Sequence, residues 1–129
     1  MKPAALRPLA EADLIERSRY YYRTAGGRLL AERFFDAAIA ALRAIEASPG
    51  MGSPRVGELI GLDGLRRVGI EGFPCGWLYL ERAELLDVLR LLVDRQDLTA
   101  ALGQTAEDTL IRRDQRAADH PCNRRHTRR

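Results

Sequence analysis

Apolar positions within residues 10–24 recur at spacings of three and four. Leu14, Ile15, Ser18, Tyr21, Tyr22 and Ala25 fall on one face of a predicted helix. Glu11 and Asp13 lie in its first turn, where carboxylates suit the positive end of the helix dipole. Gly26-Gly27 ends it. A second helix is predicted over residues 28–47, with Leu30, Phe34, Ala38, Ala41, Leu42 and Ile45 as its stripe. Alanines at 37, 38, 40, 41 and 44 favour the helix and allow close packing. Ser48-Pro49-Gly50 stops it. Two helices joined by a short glycine turn read as an antiparallel hairpin.

The period then changes. Residues 48–64 are rich in glycine and proline and form a loop, with one helical turn near residues 57–62. Residues 65–70 form a short strand bounded by glycines, and Phe73-Pro74 turns the chain. Residues 75–81 alternate, with Cys75, Trp77 and Tyr79 on one face and Leu78 and Leu80 on the other. Residues 85–93 are apolar on both faces apart from Asp87 and Arg90, the pattern of a central strand. Leu85, Leu86, Leu89 and Leu92 also fit a helix, and the short turns and the strand before them favour a strand. At the start, residues 4–9 alternate weakly between Pro3 and Pro8, as a short edge strand or an extended lead-in. The predicted order is β-α-α-β-β-β: an α+β fold, a helical hairpin packed on a small antiparallel-rich sheet. Periodicity fades after Leu98. Residues 4–102 are expected to form the domain, and residues 103–129 a basic C-terminal tail, partly helical or disordered.

Charge sharpens that division. The 129 residues carry a net charge of +3. Residues 112–129 hold seven arginines against Asp114 and Asp119, whereas residues 1–111 hold 14 basic and 16 acidic side chains. The basic character therefore belongs to the tail, where it implies weak, non-specific nucleic-acid contact. No apolar stretch approaches the roughly 18 residues of a membrane helix. Arg7, Glu11 and Asp13 interrupt any secretory signal. Cys75 and Cys122 form no Cys-x-x-Cys or Cys/His cluster, which argues for a reducing compartment and against structural zinc. A cytoplasmic protein without a metal or cofactor is expected.

Local strings add a resemblance. Ala12-Asp13-Leu14 opens the first helix and Ala31-x-x-Phe34 continues into a helix that ends in Pro49-Gly50. Gly64-Leu65-Arg66-Arg67 begins the sheet, Phe73-Pro74 precedes a strand with Tyr79 near its end, and Val88-Leu89-Arg90-Leu91-Leu92 follows. In this order and spacing they resemble the ParE branch of the ParE/RelE toxins of bacterial type II toxin–antitoxin modules, over residues 4–102. The resemblance implies a RelE/ParE-like fold, a cognate antitoxin as partner and DNA gyrase as target. Two positions depart from the pattern. Val93 stands where many ParE-like chains have a histidine, and Gln96-Asp97 replaces an Arg-Asp pair, with Arg95 one place earlier.

The superfamily also contains RelE-like members that cut messenger RNA on the ribosome. That reaction needs a base, an acid and cations for phosphorane charge. RelE-like members place a tyrosine or histidine near the end of the fold. Here the tyrosines are 20, 21, 22 and 79, and both histidines, 120 and 126, lie in the tail. The reading is therefore non-enzymatic, with no catalytic residue assigned. A RelE-like endonuclease is one alternative and a non-toxic decayed interaction module another. The residues assigned to target or antitoxin binding are Arg66, Arg67, Tyr79, Arg90 and Arg95. Each also has an ordinary structural role open to it. Arg90 in an apolar strand can pair with a carboxylate such as Glu71, Trp77 and Tyr79 can pack in the core, and Cys75 can be a small core residue.

Overall fold

Pro8 fixes the start of the first helix, since its ring pre-sets the helical φ and its missing N–H costs nothing there. A computed structural model describes residues 1–94, within a compact unit of Met1–Arg95. Strand β1 is Ala4–Leu6, helix α1 Pro8–Arg23 and helix α2 Gly27–Ala47. A 3-10 turn at Pro49–Met51 and a short helix α3, Arg55–Ile60, occupy the glycine-rich loop. Strands β2 (Arg66–Gly69), β3 (Cys75–Glu81) and β4 (Leu86–Val93) complete the order. The α+β arrangement matches the expected sequence of elements, with α3 the fuller form of the single turn anticipated there.

The sheet order is β1-β4-β3-β2. β1 runs parallel to β4, pairing Leu6 with Val88, and the other neighbours are antiparallel. β4 is thus interior, as its two-sided apolar pattern requires. A bulge at Leu78/Tyr79 shifts the β3–β4 register, so Tyr79 opposes Val88 and Leu78 opposes Arg90. Cys75, Trp77, Tyr79, Leu86, Val88 and Leu91 pack with the helices. Leu78, Leu80 and Leu92 lie on the opposite face and are buried too.

Of the six stripe positions expected in α2, Phe34, Ala38, Ala41, Leu42 and Ile45 are buried and Leu30 is half-buried against the core. The stripe of α1 is not the expected one. Its buried residues are Ala10, Leu14 and Tyr21, while Ile15 and Tyr22 are 52% and 59% exposed. Adjacent helical residues sit about 100° apart, so a face centred on Leu14 and Tyr21 turns Ile15 and Tyr22 outward. Tyr21, Phe34 and Phe73 form a mutually packed aromatic trio, with ring centroids 5.1 to 5.2 Å apart. Gly27 has φ +57° at the hairpin turn, a conformation that side chains with a Cβ rarely adopt.

A buried ion cluster ties the N-terminus to the sheet. Arg7, 6% exposed, donates from Nε and Nη2 to the two oxygens of Asp87 at 3.0 and 2.9 Å. Arg82 adds two bonds to Asp87 Oδ2. Burial alone raises the Asp87 pKa, but the hydrogen bonds and charges of Arg7 and Arg82 outweigh it and hold the carboxyl below its ordinary value of 3.8. A depressed folded pKa contributes stability above the unfolded pKa, and that stability is lost as pH falls through the folded one. The urea midpoint is therefore expected to drop below about pH 4. Asp87→Asn should lower the midpoint at pH 7 and flatten that acid limb. An unchanged acid limb would remove Asp87 from the account.

Candidate functional site

The five residues assigned from sequence do not converge on one site. Arg66 and Tyr79 share a loop. Arg66 Nη1 donates to the Gly52 carbonyl at 2.6 Å. The Tyr79 hydroxyl donates to the Pro49 carbonyl at 2.6 Å and accepts from the Gly52 amide at 3.0 Å. Ser53 and Arg67 exchange two backbone bonds of 2.9 Å, which hem the same loop to β2. A Cβ at Gly52 would lie 2.5 Å from the Tyr79 hydroxyl, so the backbone comes this close only because residue 52 has no side chain. Tyr79 is fully buried. Its role here is to anchor the loop. Tyr79→Phe should cost about 1–3 kcal/mol, because it strands a buried amide and a carbonyl. Chemical denaturation measures that loss, and a change below about 0.5 kcal/mol would mean water replaces the hydroxyl.

Arg67 points to the other face. Its guanidinium pairs with Asp94 after crossing β3 above Gly76, where a Cβ would meet Arg67 Cζ at 2.8 Å. With side chains 31% and 51% exposed, Arg67 and Asp94 are more open than Arg90 and its partner. Arg90 is held by Asp13 on α1, through Nε at 2.8 Å and Nη2 at 3.1 Å. The expected structural pairing of Arg90 is therefore present, with Asp13 in place of Glu71. Arg95 and the tail lie outside the described residues, as do the expectations attached to them.

Two groups able to do acid–base or nucleophilic chemistry, Cys75 and Tyr79, lie buried in the sheet. Burial pushes the Cys75 thiol up, Asp94 adds to that, and Arg17 and Arg67 oppose it. Burial likewise raises the Tyr79 hydroxyl, against the lowering pull of the Gly52 amide and Arg66. Trp77 spends its indole N–H on the Ala38 carbonyl at 3.0 Å. An open groove of about 520 Å³ is lined by Ser53, Pro54, Arg55, Glu58 and Leu59, and it contains none of the assigned residues. Among the described residues no group of three His, Cys, Asp or Glu is placed to hold a metal. No described helix is long and apolar enough to cross a membrane.

What the domain offers is surface. Ile15, Tyr20, Tyr22, Leu29 and Phe35 are exposed on the hairpin, and Met51, Leu59 and Ile60 around α3. The sequence pattern put Ile15 and Tyr22 on one face with Leu14 and Tyr21, and the fold turns them outward. Sequence reasoning also missed the Arg7–Asp87–Arg82 cluster and the role of Asp13. The legible signal was Asp87 and Arg90, two charges in an otherwise apolar strand, each of which needs a partner when buried.

No family model and no curated protein matches the sequence. Solved structures do. One described as "Chromosomal ParDE TA system from P. aeruginosa" aligns with a TM-score of 0.61 and 19% identity, over 72% of this chain and 96% of that one. The chain shares that fold. A helical hairpin on a small mixed four-stranded sheet is the ParE/RelE-like arrangement that the motifs of the sequence resemble. At this identity the likeness is one of architecture, and it extends over nearly the whole of the other chain.

Proposed function

We propose that this chain is the toxin of a bacterial type II toxin–antitoxin module, ParE-like, acting in the cytoplasm and neutralised by direct binding of a cognate antitoxin. The observation that carries the reading is the shared fold with a ParDE system along 96% of that chain. The order of motifs from Ala12-Asp13-Leu14 to Val88-Leu89-Arg90-Leu91-Leu92 supports it independently.

The site favours binding over cleavage. Arg66 and Arg90 are tied to Gly52 and Asp13, and the Tyr79 hydroxyl is enclosed between Pro49 and Gly52. An enclosed phenol has no path to a substrate proton. The exposed apolar side chains of the hairpin instead suit protein contact. DNA gyrase is the proposed target. Purified chain should inhibit gyrase supercoiling and trap cleaved DNA, and leave messenger RNA intact on ribosomes. Cleavage of message with gyrase unaffected would replace this target by that of a RelE-like endonuclease.

A further inference from the structure

The described residues are electrically balanced overall and polarised in space. Residues 1–94 hold thirteen basic and thirteen acidic side chains. Five of the basic ones, Arg17, Arg19, Arg23, Arg28 and Arg33, fall within residues 17–33 against the single acid Glu32. That segment is the end of α1, the glycine turn and the start of α2, which is the tip of the hairpin. Arg28 and Glu32 form a loose exposed pair at 3.7 Å, whereas Arg19, Arg23 and Arg33 have no ion pair among the described residues. A concentration of like charge raises the free energy of the isolated domain, and an opposite charge relieves it.

The same tip carries exposed apolar groups: Tyr20 at 51%, Tyr22 at 59% and Leu29 at 61%. The large apolar side chains of the strands are buried or half-buried in the sheet. We infer that the hairpin tip is a docking surface for an acidic segment of a protein partner that carries apolar anchor residues. Arginine and tyrosine at the centre of a patch are the side chains that contribute most to protein interfaces. The charges would steer the encounter, and Tyr22 and Leu29 would take the apolar anchors.

Single-stranded nucleic acid fits less well. The Arg17 guanidinium lies over the Tyr20 ring at 4.5 Å from its centroid, and Tyr21 meets Tyr20 edge-on at 5.2 Å. Successive bases need successive open aromatic faces on which to stack; Arg17 occupies one face of Tyr20, which leaves Tyr22 as the open ring of the tip. Leu29 offers no stacking surface. A second copy of the chain would set one basic tip against another. This inference rests on the proposed reading of the hairpin as a protein-binding surface, and peptide binding is measured separately from growth arrest.

The test is fluorescence anisotropy on the full chain. The probes are a labelled peptide with leucines at helical spacing and glutamates between them, the same peptide with glutamine for glutamate, and labelled oligothymidine. The tip variant combines Arg19→Gln, Arg23→Gln and Arg33→Gln. A tail variant with Arg124→Gln, Arg125→Gln and Arg128→Gln carries the same change in net charge. All six positions are in full-length protein, and unchanged melting temperatures establish that the variants fold. The tip variant should bind the acidic peptide about tenfold more weakly than the parent, and the tail variant within about twofold of it. Tyr22→Ser with Leu29→Ser should weaken it further, and the glutamine peptide should bind poorly throughout. Equal loss in tip and tail variants, or no binding of the acidic peptide by the parent, overturns the inference. So does a tip-dependent preference for oligothymidine, which would make the surface a nucleic-acid site.

Discussion

Replacing Asp13 with alanine is expected to lower the unfolding free energy by about 3 kcal/mol, the scale seen when one partner of a buried ion pair is removed. Asp13 Oδ2 accepts from Arg90 Nε and from the backbone amide of Leu91, at 2.8 and 3.0 Å. The second bond has a topological reason. The β1–β4 ladder ends near Leu6 and Val88, and β4 runs on to Val93. The Leu91 amide lies beyond the end of that ladder, and the carboxylate satisfies it from α1. Arg90 is only 11% exposed and its Nη1 already has no partner. Without Asp13 the whole guanidinium charge and an amide are left unpaired. Urea unfolding of Asp13→Ala, Arg90→Met and the double variant gives the coupling. The double variant should be more stable than Asp13→Ala, because it removes the stranded charge. Near-additive losses would mean the pair does not act as a unit.

Trp77→Ala should cost about 3–5 kcal/mol. The indole is fully buried between the hairpin and the sheet, and its N–H reaches the Ala38 carbonyl. The small side chain of Ala38 is what lets α2 approach that closely. Domains of this size have about 5–15 kcal/mol in total, so the variant should sit near the edge of folding. Trp77→Phe keeps most of the volume and loses the hydrogen bond, and should cost about 1–2 kcal/mol. Thermal unfolding followed by circular dichroism separates the two. Equal melting temperatures for Trp77→Ala and the parent would show that Trp77 does not join helix and sheet.

The elements were legible because their patterns are strong. α2 has an apolar stripe and a proline stop, and β4 has an apolar run that also fits a helix but follows short turns and a strand. What misled was α1. Ile15 and Tyr22 are apolar and at helical spacing, and only packing against α2 and β4 decides that Leu14 and Tyr21 face inward. The start of that helix matters too: it begins at Pro8, which places Glu11 in the first turn and Asp13 beyond it. Asp13 is then free for a strand that lies 77 residues away in sequence. Partners at that separation leave no local trace, and the same holds for Arg7 and Asp87. The arginines chosen as site residues were visible as charges, and a carboxylate partner for Arg90 was expected, but not that Asp13 on α1 would supply it. Arg66 is satisfied by a carbonyl of a loop whose course depends on Gly52 and Tyr79.

The five arginines of residues 17–33 are as plain in the sequence as the seven of residues 112–129. The fold places Arg17, Arg19 and Arg23 on the end of α1 and Arg28 and Arg33 on the start of α2, on either side of the hairpin turn.

The central claim is that this scaffold is a toxin restrained by a partner. Growth after induction of the intact chain in a bacterial host that lacks the antitoxin tests it most directly. The expected result is arrest, with rescue when the antitoxin encoded beside it is expressed too. Undiminished growth with the full-length protein accumulated and folded would contradict it.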